Sequence, residues 1–243
     1  EKRGDDVTRA VQAYYLLTAH KPKEARALVQ AGADGRVYPS LLIAAVTDLI
    51  LGERKRAADE IAALAEIRPG AAEALMLQSF VSREPLDIRA QIVGAMAAAP
   101  AAPEVYVRKA YDLLTSNRPK RMEEADVMLE LARKADADNV DALIVTAALF
   151  MAQNRAEEAQ PLLSRVLQLD PDAPDALVCM ALNCSMLDKT REITDLLNRA
   201  MKISDELWND VFVPKPLDYL TRVLKYRVPV MMSPDVLYPA DSR

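Results

Sequence analysis

Few residues of the chain could support catalysis. The single histidine, His20, stands two residues before Pro22 in a predicted turn between helices, so it is expected to be a turn residue and not a general base. Acidic pairs at 123–124 and 157–158 resemble the carboxylate pairs of acid–base catalysts. They open predicted helices, however, where negative charge complements the helix dipole, and this favours a capping role. We expect no enzymatic activity and assign no catalytic residue.

Metal and cofactor chemistry is equally sparse. Cys179 and Cys184 lie five residues apart in one predicted helix, where they would point about 140° apart, so they should not form a disulfide. Each is expected to be a small buried residue. The Cys and His residues do not have metal-ligand spacing, and with 6 glycines the chain has little capacity for a phosphate-binding loop. We therefore expect no metal and no cofactor.

The composition indicates a chain that forms a hydrophobic core. Of its 243 residues, 51% are hydrophobic and 28% charged, and the net charge of -5 argues against nucleic acid as a partner. No stretch approaches the roughly 18 apolar residues of a membrane span. The sequence begins at Glu1 without a methionine. We favour a cytoplasmic location, and a periplasmic assembly module of an envelope or polysaccharide export machine is the alternative.

A repeat of 34 residues organises the chain. Leu129, Leu163 and Leu197 are spaced by 34 residues, and several neighbouring positions share this period. With small slips, the repeat extends to a ladder of six residues: Ala25, Ala58, Ala90, Ala125, Ala159 and Ile193. A period of this length is typical of helical repeat arrays.

Each repeat is predicted to contain two helices. In the best example, helices over 140–154 and 156–169 carry apolar stripes at i, i+4 and i+7: Leu143, Ala147 and Phe150, then Ala159, Leu163 and Val166. Prolines mark the boundaries by opening second helices (Pro22, Pro85 and Pro119) or following them (Pro69, Pro100 and Pro171). Short connections make successive helices antiparallel neighbours. Pro161 should bend its helix or delay the start of that helix.

At these positions the sequence resembles the tetratricopeptide repeat (TPR) family, over roughly residues 6–204. The repeat at 140–173 carries the family's pattern at Leu143, Ala147, Phe150, Ala159, Leu163, Val166 and Pro171. The resemblance implies an all-α, right-handed α-solenoid of about six helical hairpins over residues 1–205. Residues 206–243 are expected to form a C-terminal capping helix and an extended tail interrupted by prolines.

In this family the first helices of the repeats line a concave groove that binds partners. The resemblance places eight residues in the groove: Asp141, Ile144, Ala148, Met151, Asp175, Val178, Leu182 and Met186. Most are apolar, so the expected partner is an amphipathic helix or an extended apolar segment, and an acidic peptide tail is not expected. The first helices at 41–51, 142–152 and 176–187 are apolar nearly all round, so something should cover this face. The cover is either a partner or the protein itself, through superhelical curvature, self-association or the tail.

The sequence thus predicts a protein-interaction scaffold or adaptor. The further alternative is an enzyme or small-ligand-binding accessory protein with a pocket at the mouth of the superhelix. Residues 228–243 are expected to lie as an arm over the chain's own surface or to dock on a neighbouring subunit.

Overall fold

The computed structural model describes residues 2–116 and 120–203, and every regular element in these ranges is an α-helix. The predicted capping helix, the tail and Pro119 lie outside the described residues. The helices are α1 (Lys2–Thr18), α2 (Pro22–Asp34), α3 (Tyr38–Ile50), α4 (Arg54–Ile67), α5 (Ala72–Val81), α6 (Pro85–Ala98), α7 (Pro103–Thr115), α8 (Arg121–Ala135), α9 (Val140–Ala152), α10 (Ala156–Leu169), α11 (Pro174–Met186) and α12 (Thr190–Ile203).

Helices adjacent in the chain pack on each other as hairpins. The pairs α1–α2, α3–α4, α5–α6, α9–α10 and α11–α12 are in contact, and successive hairpins meet through α2–α3, α4–α5, α8–α9 and α10–α11. The first helix of one hairpin also contacts the first helix of the next, as in the pairs α1–α3 and α9–α11. This succession of neighbours confirms the predicted all-α repeat architecture.

The chain divides into two compact units, with the division between Val105 and Tyr106. Among the described residues, the N-terminal unit comprises 2–105 and the C-terminal unit comprises 106–116 and 120–203. Each unit has a hydrophobic core of its own, drawn from α1 to α5 in the first and from α7 to α12 in the second. The predicted extent of the array, residues 1–205, remains a prediction.

The buried positions correct part of the predicted ladder. Ala25, Ala125 and Ala159 are fully buried. In α4, however, the fully buried residue is Ala57 and not Ala58, and in α6 Ala90 is exposed. Both stretches are rich in alanine, so the alanine nearest the expected spacing was not the one facing the core. A shift of one residue turns a side chain by about 100° around the helix.

The prolines lie where the sequence predicts, with one exception to their expected effect. Pro22 and Pro85 are the first residues of α2 and α6, where a missing N–H costs little. Pro161 lies inside α10, which nevertheless begins at Ala156 and continues to Leu169. The predicted delay of the helix start is therefore wrong, since the first turn forms before the proline.

A residue with positive φ precedes most second helices. His20, Gly52, Lys120, Asn154 and Asp188 have φ between 56° and 78° and lie just before α2, α4, α8, α10 and α12. This left-handed residue reverses the chain within three or four residues. The prediction of His20 as a turn residue is confirmed. None of the described helices has the length and apolar character needed to cross a bilayer.

Candidate functional site

The predicted groove positions lie on α9 and α11, two adjacent first helices of the C-terminal unit. The Asn139 side chain caps α9 by accepting a hydrogen bond from the Ala142 backbone N–H at 2.9 Å. Within α9, the Thr146 hydroxyl donates to the Ala142 carbonyl at 2.7 Å, so this buried polar group is satisfied inside its own helix. No residue of α9 is exposed, so this helix has no polar face toward solvent.

The structure separates the eight predicted groove residues into two groups. Five are buried, and they are Ile144, Ala148, Met151, Asp175 and Val178. The other three, Asp141, Leu182 and Met186, are half-buried and retain accessible surface. The face is therefore closed to solvent over most of its length and partly open at Leu182 and Met186 on α11.

One polar residue that the sequence analysis did not select lies among these positions. Asn183 follows Leu182 on α11, is fully buried, and makes no hydrogen bond through either side-chain atom Nδ2 or Oδ1. Burying an amide without partners costs roughly 1–3 kcal/mol by protein mutational measurements. The only sequence signal was a polar residue at the position where the preceding repeat has Leu149.

A second cluster, also missed, crosses two hairpins of the N-terminal unit. Arg26 of α2 donates through Nε to Asp48 Oδ1 at 3.1 Å and through Nη2 to Glu60 Oε1 at 2.9 Å. Arg56 approaches the same Asp48 with Nη2 at 3.1 Å from Oδ1. Asp48 is fully buried, and its signal in the sequence was an acidic residue within an otherwise apolar helix.

Burial dominates the electrostatics of this cluster. It raises the pKa of Glu60 from 4.5 to about 7, while the neighbouring Arg26 acts in the opposite direction. The Glu60 Oε2 atom is buried without a hydrogen-bond partner. The Arg56 side chain is half exposed, and its Nε atom lies 3.1 Å from Asp48 Oδ2.

A third buried polar group joins α3 to α5. The Tyr38 hydroxyl donates to Glu73 Oε1 at 2.7 Å, and Arg68 Nη1 lies 3.2 Å from the same oxygen. The Arg68 guanidinium also stacks over the Tyr38 ring, 5.0 Å from its centre. Burial and the adjacent Glu73 raise the pKa of Tyr38, so this phenol stays protonated and acts as a donor. These contacts connect α3 to α5, the first helices of successive hairpins.

The acidic pair at 157–158 and the two cysteines, considered above for catalysis and disulfide formation, lie at helix-start and buried positions. Glu157 and Glu158 lie in the first turn of α10, as predicted, and Glu158 accepts two hydrogen bonds of 2.6 Å from Arg155, which lower the pKa of that carboxyl. Cys179 and Cys184 are both buried and unbridged, as predicted. Burial also raises the pKa of the Cys184 thiol, which disfavours the reactive thiolate.

Solved structures provide the comparison with known proteins. PilW, a type IV pilus biogenesis factor, is similar over 90% of this chain and 98% of that chain, at 14% identity and a TM-score of 0.56. PilF of Pseudomonas aeruginosa is similar over 80% of this chain and 96% of its own, at 18% identity and a TM-score of 0.54. The chain has the tetratricopeptide-repeat fold.

The TPR fold agrees with the hairpins and turn residues described above, and at these identities the likeness concerns the fold alone. YrrB, a TPR protein with an unusual peptide-binding site, is similar over 71% of this chain and 89% of that chain, at 15% identity and a TM-score of 0.44. No protein-family profile matches the sequence. No curated protein matches it either.

Proposed function

We propose that this TPR-fold chain is a scaffold or adaptor that binds a segment of a partner protein on its first helices α9 and α11. The observation that carries the proposal is the accessible surface of Leu182 and Met186, two apolar side chains on a first helix that is otherwise buried almost all round. Apolar surface that a partner can cover is the usual basis of helix-in-groove and extended-segment binding.

The eight groove residues have different roles in this proposal. Leu182 and Met186 contact the partner directly, with Asp141 at the edge of the same surface. Ile144, Ala148, Met151, Asp175 and Val178 form the buried floor that holds α9 and α11 in position. The flexible thioether of Met186 adapts to the partner's side chains, so an amphipathic helix or an extended apolar segment is the preferred ligand.

The test replaces an accessible apolar residue by a charged one without disturbing the floor. We expect Met186→Glu in the 243-residue chain to abolish capture of the specific partners that the wild-type chain retains from a lysate of its own cells, because a carboxylate would have to be desolvated in the complex. Quantitative mass spectrometry of the captured proteins measures the loss.

The matched control is Val127→Glu, which places the same charge on α8 in the same unit at a side chain that is 53% exposed. This variant should capture the same partners as wild type, and circular dichroism should show unchanged helix content for both variants. If Met186→Glu captures the same proteins in the same amounts as wild type, the assignment of this surface is wrong.

A further inference from the structure

The first half of α11 is buried all round. Every residue from Asp175 to Ala181 is buried, and Cys179 is 0% exposed. This run covers nearly two turns of helix, so its side chains point in every direction around the axis. On the face that carries the proposed partner site, Asp175 and Cys179 are therefore covered, whereas Leu182 and Met186 are half-buried. We call these four residues the α11 face.

The described helices leave one side of α11 without a neighbour. The helix packs mainly against α9, α10 and α12. The first helix α3, which is also buried almost all round, packs against α1, α2, α4 and α5, so the next hairpin supplies its fourth neighbour. No helix follows α12 within the described residues. The burial of α11 is that of a single chain, so the remaining cover has to come from another part of that chain.

The chain leaves α12 beside the covered half of α11. Near the end of α12, the Arg199 Nη2 atom donates to the Pro171 carbonyl, just before α11, at 3.0 Å. At the other end of the hairpin, the Cys184 Sγ atom lies 3.9 Å from Glu192 Oε2. The two helices therefore run antiparallel. Residues that follow Ile203 start next to the covered half of α11 and far from its half-open end.

We propose that residues 207–224 of this chain lie over the first half of α11 and compete with the partner segment for the α11 face. This stretch begins four residues after Ile203 and carries large apolar side chains, among them Trp208 and Leu217. So short a tether holds it near the face at an effective concentration on the order of millimolar. The competition rests on the proposed function, whereas the position of the stretch does not.

A partner segment needs more of the α11 face than its half-open end. The whole face spans about 16 Å along the helix, and the part from Leu182 to Met186 spans about 6 Å. Two half-buried side chains offer far less than the roughly 800 Å² per partner of a stable interface. A partner that gains affinity from the covered half must displace residues 207–224, so this stretch is an internal inhibitor of partner binding.

Disulfide trapping in the 243-residue chain tests where the stretch lies. Leu217→Cys, Leu220→Cys and Leu224→Cys each add one thiol. After mild oxidation of dilute protein, at least one variant should form an intramolecular disulfide with Cys179. That product should exceed the disulfide with Cys184 about tenfold, because a disulfide requires Cβ atoms about 4 Å apart and Cys184 faces α12. Mass spectrometry of the digested chain identifies the pair.

Leu237→Cys is the matched control, because it adds the same thiol beyond the stretch and should not pair with Cys179. Circular dichroism should show the helix content of wild type for all four variants. The position of the stretch is wrong if none of the three variants pairs with Cys179, if Cys184 pairs equally well, or if the control pairs as they do.

The unsubstituted chain gives a second measurement. Trp208 is its only tryptophan and lies in the stretch. Acrylamide should quench its fluorescence several-fold more slowly than that of free N-acetyltryptophanamide, because the indole is covered where it packs on α11. Equally fast quenching would overturn the proposal without any variant.

The trapped chain tests the competition. With the disulfide formed, capture of the partners that Met186→Glu loses should fall about tenfold, because the stretch can no longer leave the face, and dithiothreitol should restore it. Wild type treated in the same way should capture equally before and after reduction. Equal capture by the trapped and reduced variant overturns the competition. A failure of the proposed function differs, since Met186→Glu would then capture normally while the disulfide with Cys179 still forms.

Discussion

Arg26 illustrates how single side chains connect neighbouring repeats. It lies on α2 and pairs with Glu60 on α4, the second helix of the next hairpin. Their ion pair, with Asp48 beside it, crosses from α2 to α4 in a largely buried environment. Desolvating such charges offsets much of their attraction, so the cluster contributes more to the register between hairpins than to net stability.

The pKa of Glu60 leads to a specific pH dependence. The folded-state value of about 7 lies above the ordinary value of 4.5, so between these pH values the folded chain binds a proton that the unfolded chain has released. Stability therefore falls as pH rises through this window, and above it the loss is complete. Glu60→Gln removes this loss, so from pH 4.5 to 7.5 the variant should gain up to about 3 kcal/mol relative to wild type. Urea unfolding at each pH measures the difference.

Glu66→Gln is the control for this experiment. Glu66 is exposed on the same helix α4 and pairs with Arg36 at the surface. The unfolding free energy of the Glu66→Gln variant should change with pH in the same way as that of wild type. Parallel curves for Glu60→Gln and wild type would show that the buried carboxyl does not titrate in this range.

Single residues were the hardest feature to predict from the sequence. Asp48 is an acidic residue in a largely apolar helix, but the spacing does not identify Arg26 as its partner, since the contact depends on how α2 and α3 pack. The two cysteines were easier, because a small residue at an apolar helical position is normally buried.

At the scale of the elements, the hairpin depends on small residues where its helices cross. Ala125 and Ala159 are fully buried near the starts of α8 and α10. Their size lets the backbones of paired helices approach, while Leu129 and Leu163, one turn later, fill the wider space.

Enlarging one of these alanines should destabilise the chain. We expect Ala159→Leu to cost roughly 1–3 kcal/mol, since a buried site without free volume must move its neighbours to accept three more carbons. The midpoint of urea unfolding measures this cost. Ala62→Leu, at an exposed position of α4, should leave the midpoint nearly unchanged. Equal midpoints for Ala159→Leu and wild type would mean that the crossing has spare volume.

The starts of α2 and α6 could be predicted because two signals agreed there. Proline at the start of α2 and α6 coincided with a change in apolar pattern. The register of α4 and α6 was less certain, because Ala57 and Ala58 fit the pattern equally well and only the packing distinguishes them. The groove shows the same limit, since a periodic pattern selects a face of a helix without saying how much of that face stays open.

At the scale of the whole molecule, two cores share one repeat architecture. The N-terminal core contains Ile61 and Leu64 of α4, and the C-terminal core contains Leu129 of α8 and Leu163 of α10. In repeat proteins each element gains its stability from its immediate neighbours, so a local change affects nearby hairpins most strongly.

A cavity in one core should therefore act mainly on its own unit. We expect Ile61→Ala to reduce amide protection in α1 to α5 and Leu129→Ala to reduce it in α8 to α12, each cavity costing about 2–5 kcal/mol. Hydrogen exchange followed by mass spectrometry resolves the two regions. Equal loss of protection throughout the chain for either variant would show that the two cores unfold as one.

The two thiol groups described on α11 allow the opening of the α11–α12 hairpin to be measured without an added label. The sequence contains no other cysteine, and both side chains are 0% exposed. A maleimide or iodoacetamide can reach them only when α11 opens. The rate of alkylation of the unmodified chain therefore measures how often this hairpin opens locally.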